Sequence, residues 1–163
     1  MDILIRNYLD SDSEFLMHCM MGMQAHVADI DPIKKTRRAA DFDAKQYVKN
    51  LLEKIKKNKG QIYIAECNGK KVGCVAGIIK ETAEIDIVDE ISCRTGRLIE
   101  LFVEPDARGQ NIGSRLIKKM EMYFCENHCA VVELGVFITN ITACKLYHRL
   151  GYIDRNVEMC KKI

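Results

Sequence analysis

The segment from Arg97 to Phe137 restricts the fold of this chain more than any other. "RLIELFV" (Arg97 to Val103) has the apolar, β-branched character of a strand. A loop containing glycine follows, and then Ile112, Leu116, Ile117, Met120, Tyr123 and Phe124 recur at helical spacing. "AVVELGVF" (Ala130 to Phe137) reads as a second strand. A strand, a crossover helix and a further strand in one sheet require a right-handed parallel connection. Just upstream the requirement reverses. "QIYIAEC" and "KVGCVAGII" are joined through Asn68-Gly69, a two-residue hairpin signal that demands antiparallel pairing. The sheet is therefore expected to be mixed.

The remaining elements fit around this frame. Ile3 to Ile5 begin a short strand that ends near Asn7. Ser11 and Glu14 stand three apart like a capping box, ahead of a helix whose inner face is Phe15, Leu16, Cys19, Met20 and Met23. Asp29 to Ala40, with Pro32 and the bases Lys34, Lys35, Arg37 and Arg38, reads as a loop whose charges face solvent, with contact to an anionic ligand as the alternative. A second helix starts near Asp41, turns Ala44, Val48, Leu51, Leu52 and Ile55 inward, and stops before Asn58 to Gly60. Asn140 caps a short helix with Ala143, Leu146, Tyr147 and Leu150 inward, and Gly151 is placed to end it. The final "YIDRNVEMCKKI" is expected to form a strand or paired strands.

Composition removes several classes of function. At 163 residues the chain is expected to be a single domain, 1–163, around one core. Its 25 basic and 23 acidic groups leave a net charge of +2, which calls for neither nucleic acid nor an anionic membrane. No apolar run approaches the roughly 18 residues of a membrane span, and the N-terminus lacks the pattern of a secretory signal. Eight cysteines are scattered with no C-x-x-C pair, so they read as small core residues in a reducing compartment. Cys125, His128 and Cys129 lie close together, but no second ligand pair accompanies them and no metal is expected. A cytoplasmic location is the expectation.

The loop "ARGQNIGSRLI" carries the chemistry. A helix N-terminus presents backbone N–H groups without internal partners, and a preceding loop that turns its amides inward makes it a phosphate cradle. The pattern G-x-x-x-x-G-K-S/T is missing, as is G-x-G-x-x-G. An ordinary turn ahead of a helix is the competing reading. "ELFVEPDARGQNIGSRLI" resembles the acetyl-coenzyme-A signature of the GNAT superfamily of N-acetyltransferases: a strand, then Q/R-x-x-G-x-G/A, then a helix. Arg108 takes the first position, Asn111 the fourth and Gly113 the last. "NITACKLYHRLGY" resembles the superfamily's later segment, with Asn140, Ala143, Tyr147 and Gly151 at the matching spacing. Asn111 departs from the pattern, which has glycine there. Asparagine visits the left-handed backbone more readily than other L-residues, whose cost is roughly 1–2 kcal/mol.

The resemblance implies an α/β fold: a GNAT-like mixed, mostly antiparallel sheet of six to seven strands with four helices, splayed between the fourth and fifth strands. It implies acetyl-CoA as cosubstrate, without a metal. The pantetheine arm would lie along Leu101, Phe102 and Val103, and Arg108, Gly109, Gln110, Asn111, Ile112, Gly113 and Ser114 would hold the pyrophosphate. Asn140, Ala143 and Tyr147 would complete the donor site. Acetyl would pass directly to a primary amine.

That chemistry needs a base, because an amine with a pKa of ~10.4 is protonated at pH 7, a cost of about 4–5 kcal/mol. Glu100, inside an apolar strand, is the first candidate, Glu133 the second and Glu104 the third. The resemblance places a tyrosine acid at Tyr147, for which simple core packing is the alternative. The acceptor, a small-molecule or protein amine, would be walled by Asp29 to Ala40 and Lys80 to Arg97, where Asp86, Asp89 and Glu90 could attract a cation. Many members of the superfamily dimerise, although nothing in this chain specifies an interface. A coenzyme-A-binding sensor or interaction module that performs no transfer is the second reading.

Overall fold

The computed structural model describes residues 2–82, 88 and 91–163. The elements run β1 (Ile3–Asn7), α1 (Ser13–Ile30), α2 (Ala44–Lys57), β2 (Gln61–Cys67), β3 (Lys70–Lys80), β4 (Thr95–Val103), α3 (Ile112–Glu126), β5 (Val131–Glu133) and α4 (Ile141–Arg149). The strands lie in sequence order, with β1 to β4 antiparallel and β5 parallel to β4. Asn68 and Gly69 take φ of 49° and 78°, the twin positive angles that suit a two-residue hairpin between β2 and β3.

Helices cover both faces of the sheet. On one face Leu16, Cys19 and Met20 of α1 and Val48 and Leu51 of α2 pack on Ile62, Ile64, Cys74, Ala76 and Phe102. On the other, Ile112, Leu116, Ile117, Met120 and Phe124 of α3 pack on Tyr63, Ala65, Val75 and Leu98. Phe124 lies directly on the strands because Gly77 and Gly96 carry no Cβ. A methyl group at either position would overlap its ring.

Several expectations need correction. Among the described residues the sheet has five strands, not six to seven. The strand read over Ala130 to Phe137 contracts to the three residues of β5. Residues 152–163 form no strand, and Ile153, Val157 and Met159 stay exposed. A three-residue edge offers few backbone groups for a further strand to pair with, and an apolar tail gains little without a face to cover. The Ser11–Glu14 capping box also does not form. A 3-10 turn over Asp10–Asp12 precedes α1, and Asp12 reaches back to accept the Leu9 amide at 2.9 Å. Asp12 is buried and held by Arg6 (2.7 Å) and Lys71 (2.6 Å), so a tertiary ion network places the helix start.

Candidate active site

The site begins with an irregularity in β4. Ala76 pairs with Glu100 and Gly77 with Leu98, which leaves Ile99 as an extra residue opposite β3. In an unbroken strand Leu98 and Glu100 would share a face. The bulge separates them: Leu98 packs under α3, whereas Glu100 turns toward α2 and accepts a hydrogen bond from the Tyr47 hydroxyl at Oε1. Glu100 is 9 % exposed. Burial pushes its carboxyl up to about 7, against the opposing pull of the Tyr47 hydroxyl and the charge of Lys54. Among the described residues no donor reaches Oε2. No fully buried side-chain oxygen or nitrogen among them lacks a partner, so Oε2 keeps contact with solvent.

The edge of β4 opens at the same level. β5 pairs with Thr95, Gly96 and Arg97, and from Leu98 onward that side of β4 has no neighbour among the described strands. The Glu104 amide donates to Val72 of β3 at 2.9 Å, so by strand alternation the main chain of Phe102 also faces β3. The main-chain groups of Leu101 and Val103 therefore face the gap, where the Val103 carbonyl accepts from Arg108 Nε at 3.0 Å. The Phe102 main chain, between them, faces β3, and its ring is buried against α1.

Past the end of β4 lies the loop that most clearly fits a phosphate. The Arg108 amide bonds to Pro105 and the Arg115 amide to Asn111. Between them none of the six N–H groups from Gly109 to Ser114 makes a close, well-aligned hydrogen bond to the described residues, and the turn over Arg108 and Gly109 is only loosely closed. A helix start by itself leaves about four. Gly109 (φ 77°) and Asn111 (φ 62°, ψ 12°) provide the left-handed turns that expose this run, and Asn111 adopts the conformation its substitution for glycine required. A series of unbonded amides backed by the helix dipole suits a pyrophosphate.

α4 closes the far side. A Cβ on Gly113 would sit in ordinary contact with Leu146 and Val103, so the start of α3, the end of β4 and α4 converge there. The Asn140 side chain accepts from the Ala143 amide at 3.2 Å, which commits both residues to the helix cap. Tyr147 is half-buried with its ring 5.8 Å from that of Tyr152. Burial raises its phenol pKa, with no hydrogen bond to its hydroxyl contributing. Tyr147 packs on the α3 face while Glu100 points to the α2 face, so the two candidates approach the gap from opposite sides.

The other carboxylates are engaged. Glu133 is held by Lys80 (3.0 Å) and Arg97 (2.9 Å), which keep it below the usual range although burial opposes this, and so it is a poor proton acceptor. Glu104 pairs with His18 Nε2 of α1 at 2.7 Å. Sequence reasoning missed Tyr47. Its one signal was its place four residues before Leu51 on the inward face of α2. The connector between α1 and α2 is tied by Asp31, whose carboxylate accepts from the Ile33, Lys35 and Thr36 amides. An open depression of about 390 Å³ beside it is walled by Arg37, Phe42, Gln46, Tyr47 and Asn50. Asp86, Asp89 and Glu90 lie outside the described residues. Among the described residues no cluster suits a metal and no helix is long and apolar enough to cross a membrane.

A mixed sheet split beside a helix N-terminus, with unbonded amides at the mouth of the split, defines a class of α/β protein. The chain belongs to the acetyltransferase (GNAT) family, whose profile matches residues 28–152. It is 34% identical over 115 residues to an uncharacterised N-acetyltransferase of Methanocaldococcus jannaschii, covering 70% of this chain and 47% of that one. It is 36% identical over 105 residues to an uncharacterised N-acetyltransferase of Archaeoglobus fulgidus, covering 64% and 66%. The matches thus span about half to two thirds of the relatives' lengths. The fold is shared with the crystal structure of a mutant of the BH1408 protein from Bacillus halodurans, at a TM-score of 0.84 and 16% identity over 98% of this chain and 99% of that one.

Proposed function

We propose that this protein is an N-acetyltransferase that moves acetyl from acetyl-CoA directly to an acceptor primary amine. The observation that carries the reading is the run of six amides from Gly109 to Ser114 that lack a close acceptor at the mouth of the β4–β5 gap. These amides hold the pyrophosphate of the donor, and the main chain of Leu101 and Val103 pairs with the pantetheine arm. The thioester then lies near Glu100 and Tyr147. Glu100 Oε2 takes a proton from the acceptor ammonium, directly or through water. The freed nitrogen attacks the thioester carbonyl, a C–N bond forms, and the C–S bond breaks. Tyr147 gives its proton to the departing thiolate, and the proton that the new amide nitrogen sheds restores the Tyr147 phenol, directly or through water. With its carboxyl near 7, Glu100 is matched to accepting a proton at neutral pH.

Three measurements test this reading. Calorimetry at near-physiological salt is expected to show acetyl-CoA binding, and its absence would overturn the assignment. A panel of amines, followed by CoA release and product mass, is expected to yield at least one acetylated acceptor. Binding without acceptor-dependent release assigns the chain instead to the sensor class. Tyr147→Phe is expected to retain binding and lose turnover, and unchanged turnover would remove its role as acid.

A further inference from the structure

Glu100 has one oxygen engaged and the other open, and α2 decides which. Tyr47 donates to Oε1 from a fixed platform. Asp43 caps the first turn of α2 by accepting the Gln46 amide at 2.9 Å, Val48 and Leu51 are buried, and the Phe42 ring packs on Tyr47 at 5.2 Å. No other hydrogen bond to the Glu100 side chain occurs among the described residues. We propose that Tyr47 is a positioning residue for acetyl transfer: by holding Oε1 it fixes the carboxyl of Glu100 so that Oε2 faces the acceptor ammonium.

The proposal rests on the reading of Glu100 as the base. A glutamate has three rotatable side-chain bonds, and a buried one without a partner samples orientations in which neither oxygen meets the amine. The bulge at Ile99 brings the carboxyl to α2, and the Tyr47 hydroxyl then sets its final direction. The other groups facing Glu100 do not substitute for it. Lys54 of α2 acts by charge alone. Cys74 of β3 carries a thiol held neutral by its contact with Cys19 of α1 and by burial. The hydroxyl also favours the ionised carboxylate, against burial, so its loss moves Glu100 away from neutral pH.

The test compares Tyr47→Phe with Glu100→Gln in the full chain. Phenylalanine keeps the ring and its packing on Phe42. The Glu100 carboxyl is titrated by carbon-13 NMR, which needs no acceptor, and kcat/KM is followed against pH. In Tyr47→Phe the titration midpoint is expected to rise by about one pH unit, tenfold in proton affinity. The acid limb of the profile is expected to rise with it, and acetyl-CoA affinity to stay within roughly twofold, since Tyr47 contacts no part of the loop. An unchanged midpoint and profile in Tyr47→Phe, with the acid limb lost in Glu100→Gln, would overturn the role of Tyr47 and leave Glu100 as base. An acid limb that survives in Glu100→Gln would overturn the base reading and the positioning role together.

Discussion

Glu100 holds its proton to about pH 7 in the fold, against an ordinary carboxyl value of 4.5. Between these values the native state binds more protons than the unfolded chain, so the stability linked to this group is full below 4.5 and is lost as pH rises through 7. At 1.36 kcal/mol per pH unit, the ionised fold is less stable by roughly 3 kcal/mol. Glu100→Gln cannot ionise, and its amide oxygen still accepts from Tyr47. The substituted protein is therefore expected to match the native one near pH 4 and to exceed it by roughly 3 kcal/mol at pH 8. For a chain of this length that difference is roughly 6–12 °C in Tm. The assay is thermal or urea unfolding of both proteins from pH 4 to 8.5, read as a difference so that carboxylates common to both cancel. The same substitution is expected to reduce acetyl transfer, because an amide cannot take the proton of the acceptor ammonium, so stability is gained where function is lost. A stability difference that stays flat across this range would refute the reasoning, since Glu100 would then not titrate there.

Three further outcomes are expected. Asn111→Val places a β-branched residue at φ 62°, and roughly 1–2 kcal/mol of backbone strain is expected to weaken acetyl-CoA binding about 5- to 30-fold. Asn111→Gly is expected to bind at least as well as the natural chain, and equal affinity of all three by calorimetry would show that the loop does not bind through that conformation. Gly96→Ala drives a methyl group into the Phe124 ring and is expected to cost about 1–3 kcal/mol by chemical denaturation, with part recovered by Phe124→Leu in a double-mutant cycle. Asp12→Asn is expected to cost about 2–3 kcal/mol at pH 7, less than a fully buried pair because Arg6 and Lys71 stay partly exposed. The Arg6 and Lys71 partners hold the Asp12 carboxyl well below its ordinary 3.8, although burial opposes this, so the cost of Asp12→Asn is expected to shrink as pH falls below that value. A cost unchanged at pH 2.5 by urea unfolding would refute it.

Local chemistry was readable in the chain itself. Asn68-Gly69 makes its hairpin, Asn140 caps α4 and Asn111 turns left-handed, because each depends on the φ and hydrogen bonds of a few neighbouring residues. The inward faces of α1 and α4 and the parallel crossover between β4 and β5 followed from periodicity for the same reason. Glu100 was identifiable as an acid inside an apolar strand, but its orientation was not. That depends on an extra residue opposite β3, and no count along β4 reveals how another strand will pair. Tyr47 lies 53 residues from Glu100 in the chain, and Asp12 meets Lys71 across a comparable stretch. The short β5 and the exposed tail were likewise decided by what the sheet edge could pair with. Turn and cap preferences act over a few bonds and are written in order along the chain, whereas burial, charge pairing and strand register arise from contacts that exist only once distant segments have met.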